Sequence, residues 1–238
     1  LFRSSSIWCI VKDNQGTLWL GTYFGGVNYF NPEYEIYSRY MYSPIEKKGL
    51  SNPVVGRTIE DKDGNLWIGT EGGGLNYYNR RTREFKWFRP EIGPNSISHN
   101  NIKALYYDAS KDIIWIGTHL GGLNRLDIRS GQFTHYRMEA GNPETLPSDI
   151  IRDIAPYQDH LVIATQNGIC LFDPANGKCQ QLFQDSKEGK KIKMVADVTF
   201  DSNGTLWIAA TGEGVFSYRF DTGKLTNYRH DTADPHSI

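Results

Sequence analysis

The chain has 238 residues, of which 39 % are hydrophobic and 22 % charged, and its 26 Lys and Arg nearly balance its 27 Asp and Glu. A net charge of −1 and a pI near 6.7 exclude a global field that would draw it to nucleic acid or to an anionic membrane. No apolar run reaches the roughly 18 residues of a membrane-spanning helix, so no direct membrane insertion is expected of this segment, and its strand-like first residues are not expected to act as a signal peptide.

One phrase recurs along the chain. It begins as Leu18-Trp19-Leu20-Gly21-Thr22 after a first strand and the turn Asn14-Gln15-Gly16, and is followed by the turn Tyr23-Phe24. A long connection at 41–53 leads to the second copy, whose pattern predicts strands at 55–60, 66–70, 75–79 and 84–88, separated by Asp61-Lys62-Asp63-Gly64-Asn65, Glu71-Gly72-Gly73-Gly74 and Arg80-Arg81-Thr82-Arg83. The third copy carries Ile114-Trp115-Ile116-Gly117-Thr118, then His119-Leu120 and the hairpin Ser130-Gly131. The fourth has Leu161-Val162-Ile163-Ala164-Thr165, then Gln166-Asn167 and the hairpin Asn176-Gly177. The fifth has Ser202-Asn203-Gly204, Leu206-Trp207-Ile208-Ala209-Ala210, Gly212-Glu213 and Thr222-Gly223. Gly at these tight turns supplies the positive φ they need.

A period of about 45 residues means stacked copies of a unit that cannot bury its own apolar face. Four short strands per unit, an internal Trp column and consecutive apolar residues such as Leu66, Trp67 and Ile68 point to an all-β fold, a β-propeller of four-stranded antiparallel blades. Five blades are expected within a single propeller region, at about 3–42, 51–89, 98–137, 146–184 and 192–230. Residues 231–238 form the lead-in to a further blade, because Asp234-Pro235-His236-Ser237-Ile238 parallels Gly93-Pro94-Asn95-Ser96-Ile97. The expected assembly is an open arc of a larger, seven-bladed ring with apolar end faces.

The stretches 14–28 and 61–76, with the fuller form Asp-x-x-Gly-x-Leu-Trp-Ile-Gly-Thr-x-x-Gly-Gly-Leu-Asn in the second, resemble the two-component regulator propeller repeat. The third copy matches it over 115–124 and the fifth over 201–207. The fourth departs, with Val162 for Trp, Ala164 for Gly and Gly168-Ile169 for Gly-Gly-Leu. The resemblance implies the periplasmic sensor region of a hybrid two-component system of Bacteroides-like bacteria. In such proteins two propellers are followed by an immunoglobulin-like domain, a membrane span and a cytoplasmic kinase. It further implies a glycan-derived oligosaccharide as ligand, control of glycan-utilisation genes, the remaining blades of the parent chain as partners, a homodimer, and no catalytic activity or cofactor for this chain.

The turns sort into two faces. Those between strands one and two and between three and four are near-identical Gly hairpins. Those between strands two and three, with the connections 41–53, 89–100, 137–149 and 184–194, differ from copy to copy, as positions with individual roles do. The candidate ligand-binding residues are therefore Tyr23, Phe24, Glu71, His119, Gln166, Asn167 and Glu213 on those turns, with Trp8, Arg57, Lys103 and Arg152 near the start of each first strand. An aromatic face beside charged and amide groups suits a sugar. Ordinary packing between blades is the competing reading of Trp8.

Other motifs carry less. Asp61-Lys62-Asp63-Gly64 begins like a calcium loop but runs into an apolar strand where the acceptor carboxylate should stand. Gly69 to Gly74 lacks the Lys-Ser/Thr and helix of a phosphate loop. The six His residues have no metal-ligand spacing. Cys170 and Cys179 flank a hairpin and are placed either to bond or to pack as two small thiols. Two rival functions remain: a propeller lyase or glycan-active enzyme using His119, Glu71 and Glu213, and a protein-interaction scaffold with an exposed apolar patch on the variable face.

Overall fold

The computed structural model describes residues 6–31, 36–45, 48–184, 186–234 and 237. Twenty strands form five four-stranded antiparallel sheets, each a simple meander. Sheet one holds β1 (Ile7–Lys12), β2 (Leu18–Thr22), β3 (Gly26–Asn31) and β4 (Ile36–Tyr40). Sheet two holds β5 (Val55–Glu60), β6 (Leu66–Thr70), β7 (Leu75–Asn79) and β8 (Glu84–Phe88). Sheet three holds β9 (Ile102–Asp108), β10 (Ile113–Thr118), β11 (Leu123–Asp127) and β12 (Phe133–Tyr136). Sheet four holds β13 (Ile151–Tyr157), β14 (His160–Thr165), β15 (Gly168–Asp173) and β16 (Lys178–Gln181). Sheet five holds β17 (Val195–Phe200), β18 (Leu206–Ala210), β19 (Gly214–Arg219) and β20 (Lys224–Tyr228). The strands expected in the second copy coincide with β5 to β8. Residues 1–5, where the first blade was expected to begin, lie outside the described residues, as do 235, 236 and 238 of the expected lead-in.

The chain divides into two compact units, residues 1–135 and 136–238. In the first, β1, β5 and β9 pack side by side as the first strands of their sheets; in the second, β13 and β17 do so. No helix of the described residues is long and apolar enough to cross a membrane.

The recurring phrase has a physical reason at each position. In sheets one, two and five its Trp is tied to the preceding turn. The Asp61 Oδ1 accepts the amides of Asp63 at 3.0 Å and Asn65 at 2.9 Å, closing the turn, while Oδ2 accepts the Trp67 Nε1–H at 3.0 Å. The same three bonds recur at Asp13 with Trp19 and at Asp201 with Trp207. A carboxylate that would be costly to bury thus becomes the partner of an indole N–H that would also be costly to bury alone. Trp19, Trp67 and Trp115 are buried. Trp207, expected in the core with them, is only half-buried.

The Gly of the phrase leaves room for the neighbouring sheet. A Cβ at Gly69 would lie 2.7 Å from Ile102 Cγ2, and one at Gly21 would lie 2.8 Å from Val55 Cγ1. Val55 and Ile102 are fully buried there. Their counterpart in β1, Ile7, is 44 % exposed, and Ile10 is 62 % exposed. Ion pairs also cross between sheets in the first unit. Arg80 donates to Asp13 Oδ2 at 2.7 Å and lies over the Trp19 ring, and Lys62 donates to Asp112 Oδ2 at 2.7 Å.

Two outcomes follow. Gly69→Ala overpacks the sheet two–three contact and lowers stability by about 1–3 kcal/mol in urea denaturation. For Asp13, burial raises the carboxyl, but the bonds from Trp19, Thr17 and Gln15 and the Arg80 charge outweigh it and hold the group below 3.8. A depressed folded value contributes stability that is present above the unfolded value and is lost as pH falls through the folded one. The urea midpoint therefore falls as pH drops from about 5 toward 2, and Asp13→Asn makes that decline shallower.

Candidate functional site

Every first strand carries one extra residue. β1 steps from Ile7 opposite Thr22 to Cys9 opposite Gly21, β9 from Ile102 opposite Thr118 to Ala104 opposite Gly117, and β13 from Ile151 opposite Thr165 to Asp153 opposite Ala164. The extra residues are Trp8, Lys103 and Arg152. In β5 the irregular stretch contains Gly56 and Arg57, and in β17 it is Ala196. Such a bulge re-aims a side chain at the end of a strand without disturbing the ladder beyond it.

The bulge side chains meet the turn that follows the second strand. The Trp8 ring stacks on Tyr23, with centroids 5.5 Å apart and planes 18° from parallel, and Tyr23 meets Phe24 edge-on at 4.4 Å. Trp8 is 54 % exposed and Phe24 63 %, so the described residues leave this aromatic stack open on one side. The Lys103 ammonium pairs with the Glu71 carboxylate of the preceding sheet. The Arg152 guanidinium donates through Nε and Nη2 to Gln166 Oε1, the Nε contact being 3.2 Å. The bulge position thus carries an aromatic stack in sheet one and a guanidinium–amide pair in sheet four, each within its own sheet, and in sheet three an ion pair to the preceding sheet.

The backbone keeps these turns beside the connections. The first turn residue donates to the carbonyl just ahead of its own first strand: Tyr23 to Ser6, Glu71 to Val54, His119 to Asn101, Gln166 to Ile150 and Thr211 to Met194, all at 2.9–3.1 Å. Connections are anchored too. Asn76 Oδ1 accepts the Ser51 amide and its Nδ2 donates to Ser51 Oγ, both at 2.8 Å, and Asn124 holds Ser98 in the same way.

In the first unit, Asn101 gathers a polar cluster. It bridges Glu71, its carbonyl accepts from His119, and its amide donates to His99 Nδ1 at 3.0 Å, which places the neutral His99 ring proton on Nε2. The His99 and His119 rings meet edge-on at 6.4 Å. His99 and Asn101 lie in a connection the sequence marks only as variable. Arg57 is half-buried in β5 near Cys9, whose thiol burial pushes up against the lowering effects of Thr58, Gly21 and Arg57.

In the second unit two neighbouring recesses, of about 350 and 470 Å³, share Asn167 and Gln181. Gln184, Lys190 and Lys193 complete the first; Met138, Asn142 and Pro143 help to line the second. Asn167 is a sequence-stated candidate, whereas Gln181, Lys190 and Lys193 escape a reading by turns because they stand on the fourth strand and within a connection. Arg152 donates to Gln166, and Glu213 pairs with Arg229 at 3.1 Å on the turn between β18 and β19. Among the described residues no group of three His, Cys, Asp or Glu is placed to hold a metal ion.

A family model for the SMP-30/Gluconolactonase/LRE-like region matches residues 104–236, more than half of the chain. The chain belongs to that family. Residues 2–24 and 49–72 match the two component regulator propeller, so these repeats are the regulator repeats they resemble. No curated protein sequence matches the chain. Among solved structures, the extracellular domains of two hybrid two component systems from B. thetaiotaomicron align with TM-scores of 0.79 and 0.76 at 23 % identity, over 95 % of this chain and 31 % of theirs. Virginiamycin B lyase from Staphylococcus aureus aligns with a TM-score of 0.71 at 14 % identity, over 96 % of this chain and 71 % of its own. These likenesses establish the β-propeller fold. The chain spans less than a third of the length of the extracellular domains it matches.

The environments of the tryptophans separate platform from core. Trp8→Ala costs less than about 1 kcal/mol of stability, whereas Trp115→Ala, which empties a buried site, costs about 3–5 kcal/mol, as read by urea denaturation.

Proposed function

We propose that this chain is part of the periplasmic input region of a hybrid two-component sensor and that its face of bulges, second turns and connections holds a glycan-derived oligosaccharide. The observation that carries the reading is the contrast between the two faces. On one face the turns of sheets one, two and five repeat the same carboxylate–indole bonds, while the other face presents chemically different side chains at one bulge position and a recess of hydrogen-bonding size. The regulator repeats and the likeness to extracellular domains of two-component systems support the sensor assignment.

The recess chemistry suits hydroxylated rings. Its volume falls within the roughly 300–1,000 Å³ usual for small-molecule sites. Asn167, Gln181 and Gln184 offer both donors and acceptors, and Lys190 and Lys193 add charge-assisted donors. In the first unit the Trp8–Tyr23 stack offers a flat apolar surface for a sugar face. Signalling is then a population shift: the oligosaccharide favours one arrangement of the parent's propellers or of its homodimer, by no more than its difference in affinity between arrangements. The output is control of glycan-utilisation genes by a kinase elsewhere in the parent.

Isothermal titration of the chain with glycan oligosaccharides tests this. Asn167→Ala with Gln181→Ala weakens binding about tenfold or more, the loss of roughly 1.4 kcal/mol expected for two hydrogen bonds, with an unchanged melting temperature. Glu71→Gln, His119→Ala and Arg152→Ala report on the bulge positions in the same assay. Binding unmoved by all of them removes the site from this chain.

The matched family and the likeness to a lyase favour a second reading, turnover of a carbohydrate or cyclic depsipeptide. Its residues would be His119 with Glu71, which Lys103 already pairs, while Glu213 lies in the other unit. Turnover that disappears in His119→Ala would establish it.

A further inference from the structure

Sheet four has neither the turn-held indole of sheets one, two and five nor the asparagine grip of sheets two and three. Val162 stands where Trp19, Trp67, Trp115 and Trp207 stand, so there is no indole for a turn carboxylate to hold. The second loss is one strand away. Opposite Leu20, Ile68 and Ile116 the third strand places Asn28, Asn76 and Asn124, and the last two grip a connection serine. Opposite Ile163 the same position is Cys170.

What Cys170 meets is another sulfur. Its Sγ lies 3.0 Å from Cys179 Sγ, about 1 Å beyond the roughly 2.05 Å of a disulfide bond. The register pairs Cys170 with Gln181 and Phe172 with Cys179, which sets both thiols on one face of the β15–β16 hairpin, and both are buried. Cys179 stands in the outermost strand of its sheet, held from outside by its amide bond to the Glu144 carbonyl at 2.8 Å. The third cysteine, Cys9, lies in the other unit against Thr58.

We propose that Cys170 and Cys179 are an oxidation site: they close to a disulfide as the chain folds, and this bond braces a sheet that has neither the indole bond nor the asparagine grip. The oxidant is a low-molecular-weight disulfide. One cysteine thiolate attacks it, forming a mixed disulfide and releasing one thiolate; the second cysteine thiolate displaces the other; the two protons of the cysteines end on the two released thiols. Burial, followed by the neighbouring Cys179, holds the Cys170 thiol well above 9.0, so the thiolate is scarce in the finished sheet and closure belongs to folding. The bond also fixes β16, whose Gln181 lines both recesses. Its occurrence in the cell rests on the extracytoplasmic reading, because such bonds persist in oxidising compartments; the chemistry does not.

The test is a thiol count on the full chain, refolded from reduced denaturant into a buffer of oxidised and reduced glutathione, then denatured and alkylated. The expected result is a cross-linked Cys170–Cys179 peptide and alkylation of Cys9 alone. Alkylation at all three cysteines, or cross-links that involve Cys9, overturns the proposal. A reductant should lower the melting temperature of the oxidised chain by about 5 °C and should leave that of the Cys170→Ser, Cys179→Ser variant unchanged; equal sensitivity in both also overturns it. The thiol count needs no variant to fold. Because neither readout involves a ligand, failure of oligosaccharide binding and failure of this bond are seen separately.

Discussion

The structure depends on a carboxylate that closes a turn with one oxygen and holds an indole with the other. A four-stranded sheet of this size has two apolar faces and little else, so its position against the next sheet must be fixed by something directional. The bonds from Asp13, Asp61 and Asp201 to Trp19, Trp67 and Trp207 provide that direction. They fix the ring plane, and the ring plane decides which neighbours it can touch. Trp19 accordingly packs among Tyr29 and Tyr40 of its own sheet and Tyr78 of the next, with Arg80 over its face. Arg80 then returns to Asp13, so the carboxylate that orients the ring also receives the cation that covers it. Sheet three departs from this plan. Asp112 collects Lys62, Tyr107 and Arg129, and burial together with the bond to Asp112 pushes the Tyr107 hydroxyl up to about 12.

At the other end of each first strand, order is relaxed in a controlled way. The ladder between first and second strands is regular except for one inserted residue. The backbone bond from the second turn to the segment before the first strand closes over that insertion. The inserted side chain therefore leaves the sheet at a defined place whatever its chemistry, which is why an indole, an ammonium and a guanidinium can all stand there.

Much of the fold is legible in the sequence because its punctuation is local. Gly at positive φ, Asp at the turn and the apolar triplet place the strands of the second copy without any tertiary information. The six-residue step from Asp to Trp is also written in the chain, at 13 and 19, 61 and 67, and 201 and 207, yet the bond it encodes is visible only once the turn brings the carboxylate under the ring. The candidate site is legible by region and not by partner. Trp8, Lys103 and Arg152 stand out by type and position. That Lys103 pairs with Glu71 of the preceding sheet, or that Asn101 gathers His99 and His119, depends on how neighbouring sheets sit together, which no window of sequence contains. Gln181, Lys190 and Lys193 are hidden for another reason: a fourth strand and a connection carry no repeat against which a departure could be noticed.

The separation of the carboxylate–indole bonds from the bulges has a consequence for how such a chain changes over generations. A substitution at a bulge or a second turn touches neither the ring that seats the sheet nor the turn that orients the ring. Each copy can thus explore new surface chemistry independently of the others, and a duplicated copy arrives with its scaffold already intact. Sheet four shows how far this drift extends, since its ring and its gripping asparagine are both gone while its ladder persists from Ile151 to Gln181. A repeat built in this way behaves as an evolvable cassette, in which recognition diversifies one copy at a time without the fold being renegotiated.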